Sequence, residues 1–272
     1  MSNLSLRDCF PIAGIPSSLC VILLGFLFHP VVLNAEQQPS VPPPTQIKAF
    51  QPGESLTYVA NWSDTVKIGT AVMEVKAERL SDGREVLRLI STSHTEGTMG
   101  KLYPLGENVQ SVFDPATMQS LSFSVRETQG KKLRSRDVAF DHEHKTATVR
   151  KDEDPVKTFP IPDQVQDNLS SIYYLRTRED FTEGKTIKFE TFDSDKSWPI
   201  EVQVMGREKV KTPAGEFDTI RIKAYKGFLM SEGEVNIWLT DDVRKVPVLI
   251  KSKVKVGSIM FTLTGLKTGG NP

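Results

Sequence analysis

The chain has 272 residues, with 34 basic and 34 acidic side chains, so its formal net charge is zero. That balance argues against a dedicated nucleic-acid binder, which needs a strong basic field, although it leaves room for a local basic patch. Hydrophobic residues at 38% and charged residues at 25% suit a globular protein with a real core, as one large β domain or two small ones.

Residues 1–35 read as a cleavable signal peptide. Arg7 is the only basic residue before Lys48, and residues 19–28 (LCVILLGFLF) form a short apolar run followed by the small residue Ala35. The run falls short of the roughly 20 apolar residues of a membrane-spanning helix. Counted whole, the interrupted stretch 12–33 would allow an N-terminal membrane anchor instead, an option weakened by Pro16, Gly25 and Pro30. The expected location is therefore periplasmic or exported. Both cysteines, Cys9 and Cys20, lie in this segment. Lipidation of Cys20 is not expected, because Leu19 precedes it and the apolar run comes after it. The mature chain would then be free of thiols, disulfides and cysteine metal sites.

Residues 36–48 open with EQQPSVPPPTQ, whose prolines favour polyproline II over strand or helix. A disordered start to the mature chain is expected there, with a spacer or partner ligand as the alternative. From residue 49 to 268 the pattern becomes that of a single β domain, followed by a tail at 269–272. Apolar residues alternate at Ala71, Met73, Val75 and Ala77, and recur at Val86, Leu87, Leu89 and Ile90 after the turn Ser81-Asp82-Gly83. Further runs carry Val109, Val112 and Phe113; then Leu121, Phe123 and Val125; then Val138, Phe140, Ala147 and Val149 around a turn at His144-Lys145. Ile187, Phe189 and Phe192 follow, then residues 200–210, and then Phe217, Ile220 and Ile222 beyond the turn at 212–216. Val235, Ile237, Leu239 and Val246, Val248, Ile250 alternate in turn, and the last pair is 254–256 with 259–263, joined near Gly257. One short helix is expected at 167–176, with Asp167 as a capping candidate and Leu169, Ile172, Tyr173 and Leu175 near helical spacing. So many short strands predict an all-β fold with one short helix, its antiparallel sheet curved into a barrel or half-barrel.

Four blocks in order resemble the bacterial domain-of-unknown-function family 3108. They are Pro52-Gly53-Glu54-Ser55-Leu56-Thr57-Tyr58 with Trp62, Gly69 and Ala71; Asp167, Ser170 or Ser171, Tyr174 and Arg176; residues 204–219 (VMGREKVKTPAGEFDT); and residues 237–248 (IWLTDDVRKVPV). The resemblance implies an exported, β-rich envelope protein. It implies no reaction, and no catalytic residue is carried over.

The remaining candidates have modest chemistry. His142 and His144, two apart, would share a strand face and supply half a zinc or copper site, but the segment also reads as a polar hairpin turn. Asp241 and Asp242 could form an acid–base or cation site, but adjacent side chains diverge, and a tight turn with Arg244 as local partner is favoured. Ser170 and Ser171 lack a nucleophile elbow, and no glycine loop of phosphate-binding type surrounds Gly206 or Gly215. The densest basic run, residues 130–136 (GKKLRSR), reads as a solvated hairpin tip, with contact to anionic lipid headgroups or a polyanion as the alternative. Aromatics at a barrel mouth can line an apolar cavity, and Tyr58, Trp62, Tyr174 and Trp238 are the candidate ligand-binding positions.

These features predict a non-enzymatic envelope protein with no cofactor, no metal and no nucleic-acid partner. It would bind a lipid or other apolar or amphipathic ligand in the curved sheet. The alternatives are a structural or assembly module acting through an envelope protein partner, and an enzyme whose site, assembled around His142, His144 and Asp241, is not visible in the sequence.

Overall fold

In the computed structural model, residues 47–225, 234–253 and 257–270 are described. The signal-peptide reading of residues 1–35, the Pro-rich segment as far as 46 and the strand expected at 254–256 lie outside them. In chain order the elements are β1 (Ser55–Trp62), β2 (Val66–Arg79), β3 (Glu85–Thr95), α1 (Gly97–Leu102), β4 (Leu105–Asp114), β5 (Gln119–Gln129), β6 (Lys132–Asp141), β7 (Thr146–Lys151) and β8 (Lys157–Pro160). Then come α2 (Ser170–Arg176), β9 (Thr186–Asp193), β10 (Lys196–Thr212), β11 (Gly215–Tyr225), β12 (Glu234–Thr240), β13 (Pro247–Lys253) and β14 (Ser258–Lys267).

All fourteen strands belong to one antiparallel sheet, ordered β8-β7-β6-β5-β4-β3-β2-β1-β14-β13-β12-β11-β10-β9. Consecutive strands pair throughout, except that β8 and β9 form the two edges and the first strand, β1, pairs with the last, β14. Alternation sets the faces: Leu56, Tyr58 and Ala60 of β1, Ala71, Met73 and Val75 of β2, and Val235, Ile237 and Leu239 of β12 are all buried, with more exposed residues between them. A sheet of this width twists and curls, and bulges at Thr57/Tyr58, Ala60/Asn61, Val112/Phe113, Val204/Gly206 and Trp238/Leu239 add bends. Gly69 of β2 is required by close approach, since a Cβ there would lie 2.2 Å from the His94 carbonyl oxygen of β3.

The curl brings the edge strands β8 and β9 face to face without joining them in a ladder. Side chains fill that seam: the Phe192 ring of β9 lies 5.8 Å from Phe140 of β6 and 6.2 Å from Phe159 of β8. Arg136 of β6 reaches Asp193 at 3.1 Å. The segment 161–169 runs along the same gap. Gln166 forms a parallel bridge with Thr191, and its amide side chain donates to the Met118 carbonyl at 2.8 Å.

The curved sheet and its central helix match the sequence expectation. Three elements lie outside the runs read in the sequence: β1, α1 and β8. The six-residue α1 buries no side chain, so it leaves no apolar periodicity to read. The four-residue β8 (KTFP) is too short to show alternation. Among the described residues no helix is long and apolar enough to cross a membrane.

Candidate functional site

The central helix is fixed by two buried polar clusters, one at each end. At its start Asp167 is fully buried, and one carboxylate oxygen accepts from the backbone N–H groups of Leu169 and Ser170, both at 2.8 Å. The other oxygen accepts the hydroxyls of Ser111 on β4 and Ser120 on β5. Burial pushes the Asp167 carboxyl above its ordinary value, against the pull of these four donors. Ser171 donates to the Asp167 carbonyl at 2.6 Å and contacts the Thr191 hydroxyl of β9 at 2.9 Å. This cluster ties β4, β5 and β9 to the helix across the seam.

At the helix end Arg176 is buried and makes a two-pronged pair with Glu54, at 2.7 and 2.8 Å. Its remaining donors reach the Ala49 carbonyl at 2.9 Å and the Arg244 carbonyl at 3.0 Å. The guanidinium also lies over the rings of Phe50 (5.2 Å) and Tyr173 (5.3 Å). Burial works against the charged form, but the Glu54 carboxylate outweighs it and holds Arg176 protonated. The helix therefore plugs the concave face: Ile172, Tyr173 and Leu175 belong to the same apolar core as the strands.

Where the chain leaves this plug, a cleft of about 740 Å³ opens at the end of the barrel that carries the β4–β5 and β12–β13 turns. Its apolar wall includes Ile47, Ala49, Met118, Tyr174 and Val243. Its cations are Lys48, Arg178 and Lys245 around the paired Arg176, and among the described residues Glu179 is the only acid in the lining. Arg178 sits over the Tyr174 ring at 5.7 Å, and Tyr174 packs edge-on against Phe189 at 5.5 Å. Lys245 donates to the Asp242 carbonyl and lies 5.6 Å from the Phe181 ring. Among the described residues, neither Lys48 nor Arg178 forms a salt bridge. Cations beside an apolar wall can hold a carboxylate, phosphate or sulfate on a greasy body.

The four aromatic candidates do not meet in one pocket. Tyr174 lines this cleft. Trp62 lines a second groove at the opposite end of the barrel. Tyr58 is buried in the core and donates its hydroxyl to the Pro247 carbonyl at 2.8 Å. Trp238 faces outward on β12, its indole N–H donating to Glu208 at 2.8 Å.

The histidines lie in the β6–β7 turn and engage separate partners: His142 the Ser120 carbonyl at 2.6 Å, His144 the Asp141 carboxylate at 2.8 Å. Asp241 pairs with Arg207 at 2.8 Å. Asp242 closes the β12–β13 turn, accepting from the Thr240 hydroxyl at 2.7 Å and the Arg244 backbone N–H at 3.0 Å. Burial opposes ionisation there, but these donors and the Arg244 guanidinium hold the Asp242 carboxyl below its ordinary value. Ser170 and Ser171 are both buried in the Asp167 cluster.

Lys48, Arg178 and Lys245 escaped the sequence reading because they come from three separate segments. The one available signal was their position just outside apolar or turn motifs.

The model of the family "Protein of unknown function (DUF3108)" matches residues 57–264. A β-barrel-like protein of another domain of unknown function, DUF1849, from Brucella abortus is 13% identical, with a TM-score of 0.55, covering 80% of this chain and 98% of its own. A candidate lipoprotein from Parabacteroides distasonis is 12% identical, with a TM-score of 0.33, covering 80% of this chain and 96% of its own. A candidate exported protein with a YmcC-like fold from Bacteroides fragilis is 13% identical, with a TM-score of 0.32, covering 80% and 97%. A comparison with curated protein sequences gives no significant match.

Proposed function

This chain belongs to the DUF3108 family, from which no reaction is inherited, and we propose that it is a non-enzymatic binder of an anionic amphiphile. The observation that carries the reading is the cleft beside α2. Among the described residues it has an apolar wall, three cations besides the paired Arg176, and one acid, with a volume within the roughly 300–1,000 Å³ of small-molecule sites. Tyr174 and Met118 would take the apolar body of the ligand, and Lys48, Arg178 and Lys245 its charged head. The expected ligand class is a fatty acid or a single-chain phospholipid. The concave face of the sheet is filled by α2, so the ligand sits at the mouth and not within the barrel. The reading includes export to the bacterial envelope, supported by the apolar run at residues 19–28.

The test is a titration of the purified protein with oleate and with lysophosphatidylglycerol, with a neutral alkyl glucoside as control. Saturable binding of the anionic ligands alone is expected. Reversing Arg178 and Lys245 together (Arg178→Glu, Lys245→Glu) should weaken it by about tenfold or more, since a hydrogen bond to a charged group contributes about 1.5–3 kcal/mol. Equal binding of the neutral and anionic ligands, or no saturable binding of either, would overturn the reading. Export is tested by sequencing the N-terminus of the mature protein, expected to begin at Glu36.

A further inference from the structure

The opposite end of the barrel carries a different surface. There the β1–β2 turn, α1 and the β5–β6 hairpin stand side by side, and the Gly130 N–H donates to the Pro104 carbonyl at 2.8 Å to lock two of them together. Large apolar side chains project into solvent along this lip: Leu133 is 77% exposed, Leu102 and Tyr103 are each 65% exposed, and Val66 is 53% exposed. Leu133 and Leu105 stand on opposite faces of the sheet, because Leu105 keeps the parity of inward-facing Ser111 while Leu133 has the parity opposite to Val138 and Phe140. On the side of Leu105 an apolar groove of about 420 Å³ is lined by Leu105, Trp62, Met99, Leu102, Tyr103 and Ile259, among others.

The outermost charges of α1 and of the β5–β6 hairpin are basic. Lys101 ends α1, and Lys131 and Lys132 form the tip of the β5–β6 hairpin; among the described residues none of the three forms a salt bridge. The nearby acids are either spoken for or set back. Glu96 is paired with Lys67 at 2.8 Å, and Asp64 with Lys251. Glu107 and Glu127 face each other two rungs in from the tip, with Arg134 opposite Glu127. Asp152, in the acidic turn after β7, lies level with Ser135 and accepts its N–H at 2.6 Å.

We infer that this lip docks edge-on against an anionic lipid bilayer. Leu102, Tyr103 and Leu133 would enter the headgroup–acyl boundary, while Lys101, Lys131 and Lys132 meet lipid phosphates. Exposed apolar groups ringed by unpaired lysines are what an interfacial membrane contact requires, and apolar insertion and headgroup attraction act together there. The inference is independent of the cleft at the other end.

The experiment uses the full chain carrying Leu133→Trp as a local reporter. It is mixed with vesicles of phosphatidylglycerol whose acyl chains are brominated, and with vesicles of brominated phosphatidylcholine alone. Quenching of the new indole is expected on the anionic vesicles, weakened by salt, and absent on the zwitterionic ones. Lys131→Ala and Lys132→Ala together should weaken partitioning by roughly 25-fold, at about fivefold for each lysine removed. Leu102→Ser should reduce quenching while leaving the circular dichroism spectrum unchanged. An indole at 133 that stays unquenched on anionic vesicles, or quenching indifferent to the lysines, would overturn the inference. So would protection of the lip by a copurifying envelope protein but not by lipid.

Discussion

Replacing Glu54 by Ala tests what holds the helical plug in place. The perturbation strands a buried guanidinium that now makes two charge-assisted bonds to Glu54 at 2.7 and 2.8 Å. Two such bonds at about 1.5–3 kcal/mol each give a loss of about 3–6 kcal/mol. That agrees with the roughly 3–5 kcal/mol seen when one partner of a buried pair is removed. For a domain of this size, about 2–4 °C per kcal/mol, the melting temperature should fall by roughly 6–20 °C. Thermal melts and urea titrations at neutral pH supply the measurement. The control is Glu201→Ala, which breaks the exposed pair with Lys188 at 2.6 Å. That pair is no longer than the buried one, yet screening by water leaves it at roughly 1 kcal/mol or less. Burial, not distance, sets the expected difference. If Glu54→Ala and Glu201→Ala shift stability by the same amount, the reasoning fails. A double replacement, Glu54→Leu with Arg176→Met, should recover most of the loss, because apolar groups of similar volume do not leave a buried charge unmatched.

Asp167→Ala should cost several kcal/mol by leaving two hydroxyls and two backbone N–H groups without their acceptor, whereas Asp167→Asn keeps an acceptor oxygen for the helix and should cost much less by urea denaturation. The folded Asp167 carboxyl is raised above 3.8, so its contribution to stability is complete below that value and is lost as pH rises through the folded value. Asp167→Asn removes that contribution, and its deficit relative to the wild type should therefore shrink as pH rises above about 4. Tyr173→Phe should raise stability by about 1 kcal/mol in the same assay, because the buried Tyr173 hydroxyl has no hydrogen-bond partner among the described residues; a clear loss of stability would point to a partner for that hydroxyl.

Most of the strands could be read because each has one buried face. Val235, Ile237 and Leu239 alternate in the sequence and point into the core of β12 for the same reason. The helix was legible too, since Leu169, Ile172, Tyr173 and Leu175 all pack inward. Asp167, read as its capping candidate, does accept two N–H groups of its first turn. Pattern stops there, because periodicity reports which face is buried and not what lies across the core. Glu54 and Arg176 are 122 positions apart, and Asp167 and Ser111 are 56 apart. Each of the four looks like an ordinary surface residue until the sheet curls. The cleft is illegible for the same reason: Lys48, Arg178 and Lys245 come from a terminal segment, a helix exit and a hairpin turn. Aromatic residues were the natural choice of ligand platform, yet ring size cannot separate Tyr58, sealed in the core, from Tyr174, at the mouth.

The two surfaces lie at opposite ends of the same strands, which bears on how they could work together. Strands of about ten residues rise roughly 3.3 Å per residue, so cleft and lip stand about 30 Å apart. Among the described residues, the concave face between them is filled by α2 and its core neighbours. A barrel standing on its lip would therefore turn the cleft away from the bilayer. An amphiphile in the cleft would have to arrive from the aqueous side, as a monomer or from a partner, and could not slide in from the membrane beneath. Among the described residues, both ends of the plug are tied down by buried polar clusters, so no coupling between cleft and lip is expected through α2. Oleate affinity should accordingly be the same with and without anionic vesicles once free ligand is corrected for partitioning, and Lys131→Ala with Lys132→Ala should leave it unchanged. A change of more than about threefold in either comparison, about 0.65 kcal/mol of coupling, would mean that the two ends communicate and that α2 moves.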